Sequence, residues 1–261
     1  MKKPLILVSN DDGFRAPGVH RLAALLQEYG DVVAVCPNSP QSGKSIAITV
    51  NEPLRITPVE EYRDREPGVE WYHVNGTPAA CVKLAMYTVL HDRRPALICT
   101  GINHGSNASV NVMYSGTMGA AFEGCAFGVP SVGFSLCDHS ADADFGPMLP
   151  YVRRVVERVL AKGLPEGICL NVNAPVGKLA GIRVTSGCLG HWSDEFREYV
   201  DPHGRPYYWL TGRFINEEPD NPDTDDALLA RGYVTVVPCS LDRTATGQID
   251  FLKDFFAESD H

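Results

Sequence analysis

The chain has 261 residues, 44% of them apolar, and a formal net charge of −9 at pH 7. That length buries a sizeable core, as one large α/β domain or as a domain with an extension. The charge argues against a broad, non-specific binder of nucleic acid such as a DNA or RNA duplex, but it admits a small phosphorylated ligand, because one metal ion reverses the sign locally.

The run LILV (5–8) predicts a strand buried on both faces, and it breaks off into two adjacent carboxylates, Asp11 and Asp12. Pro17 opens a helical pattern with Val19, Leu22, Ala23 and Leu26 on one face and Gly30 as its stop. VVAVC (32–36), IAITV (46–50) and WYHV (71–74) read as further strands. Thr77-Pro78 is a cap followed by a first turn, and Val82, Ala85, Met86, Val89 and Leu90 keep helical spacing after it. ALICT (96–100) predicts another strand, followed by a Gly/Asn/Ser-rich loop and the small-residue run TMGAAFEG (117–124). SVGFS (131–135) and ICLNV (168–172) are strands on either side of a helix marked by Val152, Val155, Val156, Val159 and Leu160.

Apolar strands alternating with helices predict a mainly parallel sheet covered on both faces. Past about residue 185 the pattern weakens: aromatic and polar residues mix in GRPYYWLTGRF, and the acidic stretch EEPDNPDTDD (217–226) reads as a solvated loop. The reading therefore divides the chain into a core, 1–185, and a C-terminal extension, 186–261. Eight cysteines without a C-x-x-C pair are expected to be reduced, mostly buried thiols of a cytoplasmic protein. Neither a signal peptide nor a membrane span is expected.

In a doubly wound sheet, ligands gather at the carboxyl ends of the strands. Asp11 and Asp12 stand at such an end, and PNSPQSGKS (37–45), GINHGSN (101–107) and YSGT (114–117) are polar loops that can reach the same rim. The available donors are carboxylate, hydroxyl and amide oxygens, hard ligands suited to Mg²⁺ or Mn²⁺ rather than zinc. Ser115, Gly116 and Thr117 open a helix whose free N–H groups and positive dipole end make a phosphate seat. Plainer readings stand beside these: NDDG as a turn closing a strand, and Ser115 as a helix cap.

LVSNDDG, APGV, SGKS, GTPAACV, TGINHGSN, YSGTMGAAFEG, LNVNAP, GRPYYWLTG and TDDALLARGYVTVVP, in that order, resemble the SurE family of stationary-phase survival proteins, metal-dependent 5'/3'-nucleotidases. The resemblance implies a Rossmann-like three-layer α/β/α core and a C-terminal extension with β-hairpin elements. The extension would reach a neighbouring subunit, giving a homodimer or homotetramer. It implies a divalent metal, Mg²⁺ or Mn²⁺, held by Asp11, Asp12, Ser42 and Asn103, with Ser45 the competitor for the serine position. Ser45, Asn107, Ser115, Gly116 and Thr117 match positions around the phosphate, and Asp11, Asp12, Asn103 and Ser115 would carry catalysis. The substrates implied are nucleoside monophosphates. Two positions depart from the family pattern: Ala80 stands where the family has Asp, and Thr100 where it has Ser. An alternative reading is a nucleotide-binding stress protein that senses with the same site and does not hydrolyse; complete Asp11, Asp12 and Asn103 favour the enzyme.

Overall fold

The computed structural model of the protein describes residues 3–257. The amino-terminal part runs β1 (Leu5–Ser9), α1 (Pro17–Leu26), β2 (Asp31–Pro37), β3 (Ile56–Pro58), β4 (Val69–Val74), α2 (Pro78–Tyr87), β5 (Leu97–His104), α3 (Gly116–Ala126), β6 (Ser131–Leu136), α4 (Leu149–Lys162) and β7 (Ile168–Ala174). The remainder runs β8 (Gly181–Val184), β9 (Gly190–Ser193), β10 (Phe196–Val200), β11 (Pro206–Leu210), β12 (Arg213–Asn216), α5 (Asp225–Ala230), β13 (Tyr233–Ser240) and α6 (Ile249–Phe256).

One nine-stranded sheet has the order β3-β4-β2-β1-β5-β6-β7-β13-β8. From β4 to β7 every pairing is parallel; β3 runs antiparallel to β4 at one edge, and β13 antiparallel to β7. Strand alternation divides the core. Ile6 and Val8 pack with Val19, Leu22 and Leu26 of α1 and Val152 and Val156 of α4. Leu7, between them, faces the opposite way with Cys81, Val82 and Ala85 of α2 and Ala120 of α3. Helices thus cover both faces, the three-layer α/β/α arrangement that apolar, unalternating strands require. The strand order reverses at β1, so a crevice opens between the ends of β1 and β5.

Residues 46–50 do not form the expected strand; they lie in a long loop between β2 and β3. Ile48 and Val50 are exposed, the latter 71% so. The loop is spent on other contacts: the Thr77 hydroxyl donates to the Ala47 carbonyl at 2.5 Å, and the Thr49 hydroxyl accepts from the Thr77 N–H at 3.3 Å. The edge strand is instead β3, which the apolar pattern did not mark. Helix α2 stops before Val89 and Leu90, and β5 continues past Thr100 to His104 with a register shift against β6 between Thr100 and Asn103.

The acidic stretch is only partly solvated. Asp225 is buried at the start of α5, where its carboxylate accepts the backbone N–H groups of Ser109 and Cys188, each at 2.8 Å. Burial pushes its pKa up, and those N–H groups pull it back. All eight cysteines are free, six of them buried.

Candidate active site

At the end of β1 the Asn10 side chain donates to the Gly13 carbonyl at 2.9 Å, closing the turn that the sequence allowed. The Phe14 N–H donates to the Pro37 carbonyl at 3.0 Å, and the Phe14 ring stacks on His73 with centroids 5.0 Å apart. The turn and the carboxylate site are therefore one feature, because the locked turn holds Asp11 inward.

Asp11 is 4% exposed and lies against the first turn of α3. A side chain at Gly116 would place its Cβ 2.8 Å from the Asp11 Cβ and 3.0 Å from Oδ2, so glycine is what admits the carboxylate there. The Thr117 hydroxyl donates to Asp11 Oδ1. The Asp11 pKa is raised to about 6: burial is the largest cause, the Thr117 hydroxyl bond opposes it and the Asp12 charge adds to it. Asp12 Oδ2 accepts the His104 N–H at 3.2 Å and lies 3.4 Å from His104 Nδ1.

Asn103, at the end of β5, donates through Nδ2 to the Gly105 carbonyl at 2.9 Å. That bond fixes the amide, and Oδ1 is left as the end available to a ligand. Asn107 sits in a buried amide ladder. Its N–H donates to Asn173 Oδ1, its Nδ2 to the Ser135 hydroxyl and Asn171 Nδ2 to its carbonyl, each at 2.8 Å. Ser115 caps α3, its hydroxyl oxygen accepting the Met118 N–H at 3.0 Å. Its O–H remains free to donate, so the capping role leaves one hydrogen bond for a ligand.

A cavity of about 770 Å³ joins Asp11, Ser42, Asn103, Asn107 and Ser115, and its far wall includes Trp192, Leu210, Phe214 and Leu229 from the C-terminal segment. Two expected phosphate contacts have other tasks. The Ser45 hydroxyl donates to the Met113 carbonyl at 2.6 Å, and its own carbonyl lies against Gly119, where an added Cβ would come within 2.0 Å. Ser45 thus anchors the loop, while Ser42 stands exposed at the cavity rim. Thr117 is fully buried and spends its hydroxyl on Asp11. Ala80 is the third residue of α2, where its N–H is accepted by the Thr77 hydroxyl at 3.3 Å. An acid at that position would complete a capping box, a local helix contact away from the cavity wall.

The family model described as "Survival protein SurE" matches residues 6–194. The chain belongs to the SurE family. It is 48% identical to the 5'-nucleotidase SurE of Phocaeicola vulgatus, covering 98% of each chain. It is likewise 48% identical to the 5'-nucleotidase SurE of Christiangramia forsetii, over 97% of this chain and 96% of that one. The crystal structure of the SurE protein from Aquifex aeolicus superposes with a TM-score of 0.82 at 33% identity, covering 97% of this chain and 99% of that one. The SurE fold therefore extends over the C-terminal segment as well as the core.

Some residues of the site were not singled out from sequence. Asn171 and Asn173 are legible afterwards as two amides alternating within an otherwise apolar strand, LNVN, since a buried amide needs partners. Trp192 and Phe214 carried no comparable local signal.

Proposed function

We propose that this SurE-family chain is a divalent-cation-dependent phosphomonoesterase that hydrolyses nucleoside 5'- and 3'-monophosphates to nucleoside and phosphate. The observation that carries the reading is the Asp11 carboxylate, buried at the N-terminus of α3 and opening on one cavity with the free amide oxygen of Asn103. The names of the curated relatives, 5'-nucleotidase SurE, support the substrate class.

The donor set fits a hard cation. Among the described residues no group of three or more His, Cys, Asp or Glu gathers as a metal site. Two carboxylates match the charge of one divalent ion, and Asn103 Oδ1 and the Ser42 hydroxyl add neutral oxygens. Asp11, Asp12, Ser42 and Asn103 are the residues we assign to hold Mg²⁺ or Mn²⁺. The bound ion supplies Lewis-acid polarisation of the phosphoryl oxygen.

The rest of the chemistry belongs to the chain. The Ser115 O–H and the free N–H groups at the start of α3 donate to the phosphoryl oxygens and stabilise charge that grows on them. The Thr117 hydroxyl holds Asp11 by Oδ1, leaving Oδ2 either to take the proton of the attacking water as base or to attack phosphorus itself as nucleophile. His104 orients Asp12 through its N–H and ring. Asn107, clamped by Asn171, Asn173 and Ser135, keeps the loop after β5 at a fixed distance from the phosphate seat.

We further infer that residues 186–261 form an oligomerisation arm on the catalytic core, 1–185, and that the protein works as a homodimer or homotetramer. The exposed aromatic hairpin of β10 and β11 supports this. No helix among the described residues is long and apolar enough to cross a membrane, and eight free cysteines suit a reducing compartment such as the cytoplasm. The test is phosphate release from AMP after chelation and after Mn²⁺ is restored. Turnover should vanish and return; full activity in thoroughly demetallated protein would overturn the reading.

A further inference from the structure

The cavity is larger than a phosphate needs, and part of its lining, the far wall, lies outside the residues assigned above to the cation and the phosphate. That wall comes from the C-terminal segment and is mixed: Trp192 of β9, Leu210 of β11, Phe214 of β12 and Leu229 of α5 are its apolar part, beside Glu195, Thr211 and Asp226. Trp192 and Phe214 are direct cross-strand partners, their ring centroids 6.3 Å apart at 65°.

The indole is held in a defined orientation. Its Nε1–H donates to Asn111 Oδ1 at 2.8 Å, and the Asn111 carbonyl accepts the N–H of Ser115, the α3 cap, at 3.1 Å. One residue therefore ties the aromatic wall to the phosphate seat. Trp192 is half-buried, and an indole withdrawn from water ordinarily finds a partner for its N–H. Here that need is met at the ring edge, which leaves a ring face without a polar obligation. About 770 Å³ is in the usual range for sites that enclose an organic ligand.

We propose that Trp192, backed by Phe214, is the nucleobase platform of this site, and that it makes the enzyme select nucleoside phosphates over phosphomonoesters that carry no base. The inference rests on the nucleotidase reading above and adds the residue that recognises the organic half of the substrate. Stacking engages the π face that every base presents, so the platform favours nucleotides as a class with weak preference among bases.

The experiment compares AMP with ribose 5-phosphate, which has the same ester and sugar without the base, on wild type, Trp192→Ala and Trp192→Phe with Mn²⁺ present. Trp192→Ala should lower kcat/KM for AMP by roughly tenfold or more and leave ribose 5-phosphate within about twofold. Trp192→Phe keeps an aromatic face and should retain most of the AMP preference, which guards against a variant that merely folds poorly. Equal losses on both esters, or an unchanged preference for AMP, would overturn the proposal. Calorimetric titration with adenosine separates the two readings. If wild type hydrolyses neither ester, the nucleotidase reading fails. The platform then stands if adenosine binds wild type and loses roughly tenfold in affinity in Trp192→Ala. It falls if adenosine does not bind wild type or binds the two alike.

Discussion

The end of β1 and the hairpin of β10 and β11 solve opposite problems. At the end of β1, polar groups are buried, and each is held by a neighbour: Asp11 by Thr117, Asn103 by Gly105, Asn107 by Asn171, Asn173 and Ser135. In the hairpin, apolar groups are exposed: Phe196, Tyr208 and Trp209 all face solvent, and none of the ten strand residues is buried. Five cross-strand pairs hold the hairpin together, and a two-stranded ribbon of that kind has little stability of its own. The first region holds its buried polar groups in place, which supports the catalytic role proposed for them. The second leaves apolar area exposed, which supports the proposed contact with another copy.

The largest expected effects fall on the buried region. Asp11→Asn and Asp12→Asn each remove one charge from the cation site, and each should cut turnover of AMP by roughly 10³-fold or more and abolish Mn²⁺ binding by calorimetry. Wild-type Mn²⁺ affinity in both variants would leave the turn as the whole explanation of the paired carboxylates. Ser115→Ala should separate charge from donation: kcat falls roughly 10²–10³-fold while Mn²⁺ affinity is kept.

Asp225→Ala sharpens the contrast within the C-terminal segment itself. It strands two buried N–H groups, those of Ser109 and Cys188, and should cost about 1–3 kcal/mol for each, visible as a lower midpoint in urea. The paired change Tyr208→Ser and Trp209→Ser should cost the fold less than about 0.5 kcal/mol at each position, because both side chains are exposed in the single chain. The same variant should lower the mass seen by light scattering. A wild type that is monomeric at micromolar concentration would break the comparison, since the exposed aromatics would then have no partner copy to meet.

The smallest effect is on metal-free stability. Asp11 has its pKa raised from 3.8 to about 6, chiefly by burial, so the folded chain holds that proton more tightly than the unfolded chain does. Its charge costs stability above about pH 6, and that cost is relieved as pH falls through 6 towards 3.8. Metal-free Asp11→Asn should melt roughly 2–6 °C above wild type at neutral pH, and the gap should close near pH 4. A constant gap across that window would show that Asp11 is not the group responsible.

The elements and candidate residues that could be read from sequence share a property: each depends on contacts within a few residues. Apolar runs of strand length, Pro17 and Pro78 at helix starts, and Thr77 and Ser115 as caps are all local, and all but the run 46–50 are found where the sequence put them. Residues 46–50 show the limit. Their apolar pattern suits a strand, but a strand also needs a free sheet edge. β3 takes that edge beside β4, while the loop is held by Thr77 and by the Ser45 contacts with Met113 and Tyr114. Nothing within the five residues decides that competition.

Sequence alone determined the doubly wound core and the strand-end loops that bring Asp11, Asn103 and Ser115 to one cavity, because strand period and cap chemistry belong to residues and their near neighbours. Tertiary structure alone decided that Thr117 serves Asp11, that Ser45 anchors a loop and that Asp225 holds Ser109 from a distance of 116 residues along the chain. It also decided that Trp192 lines the same cavity as Asp11. Each of these is a meeting of segments far apart in sequence, and a buried donor or acceptor takes whatever partner the packing brings within reach.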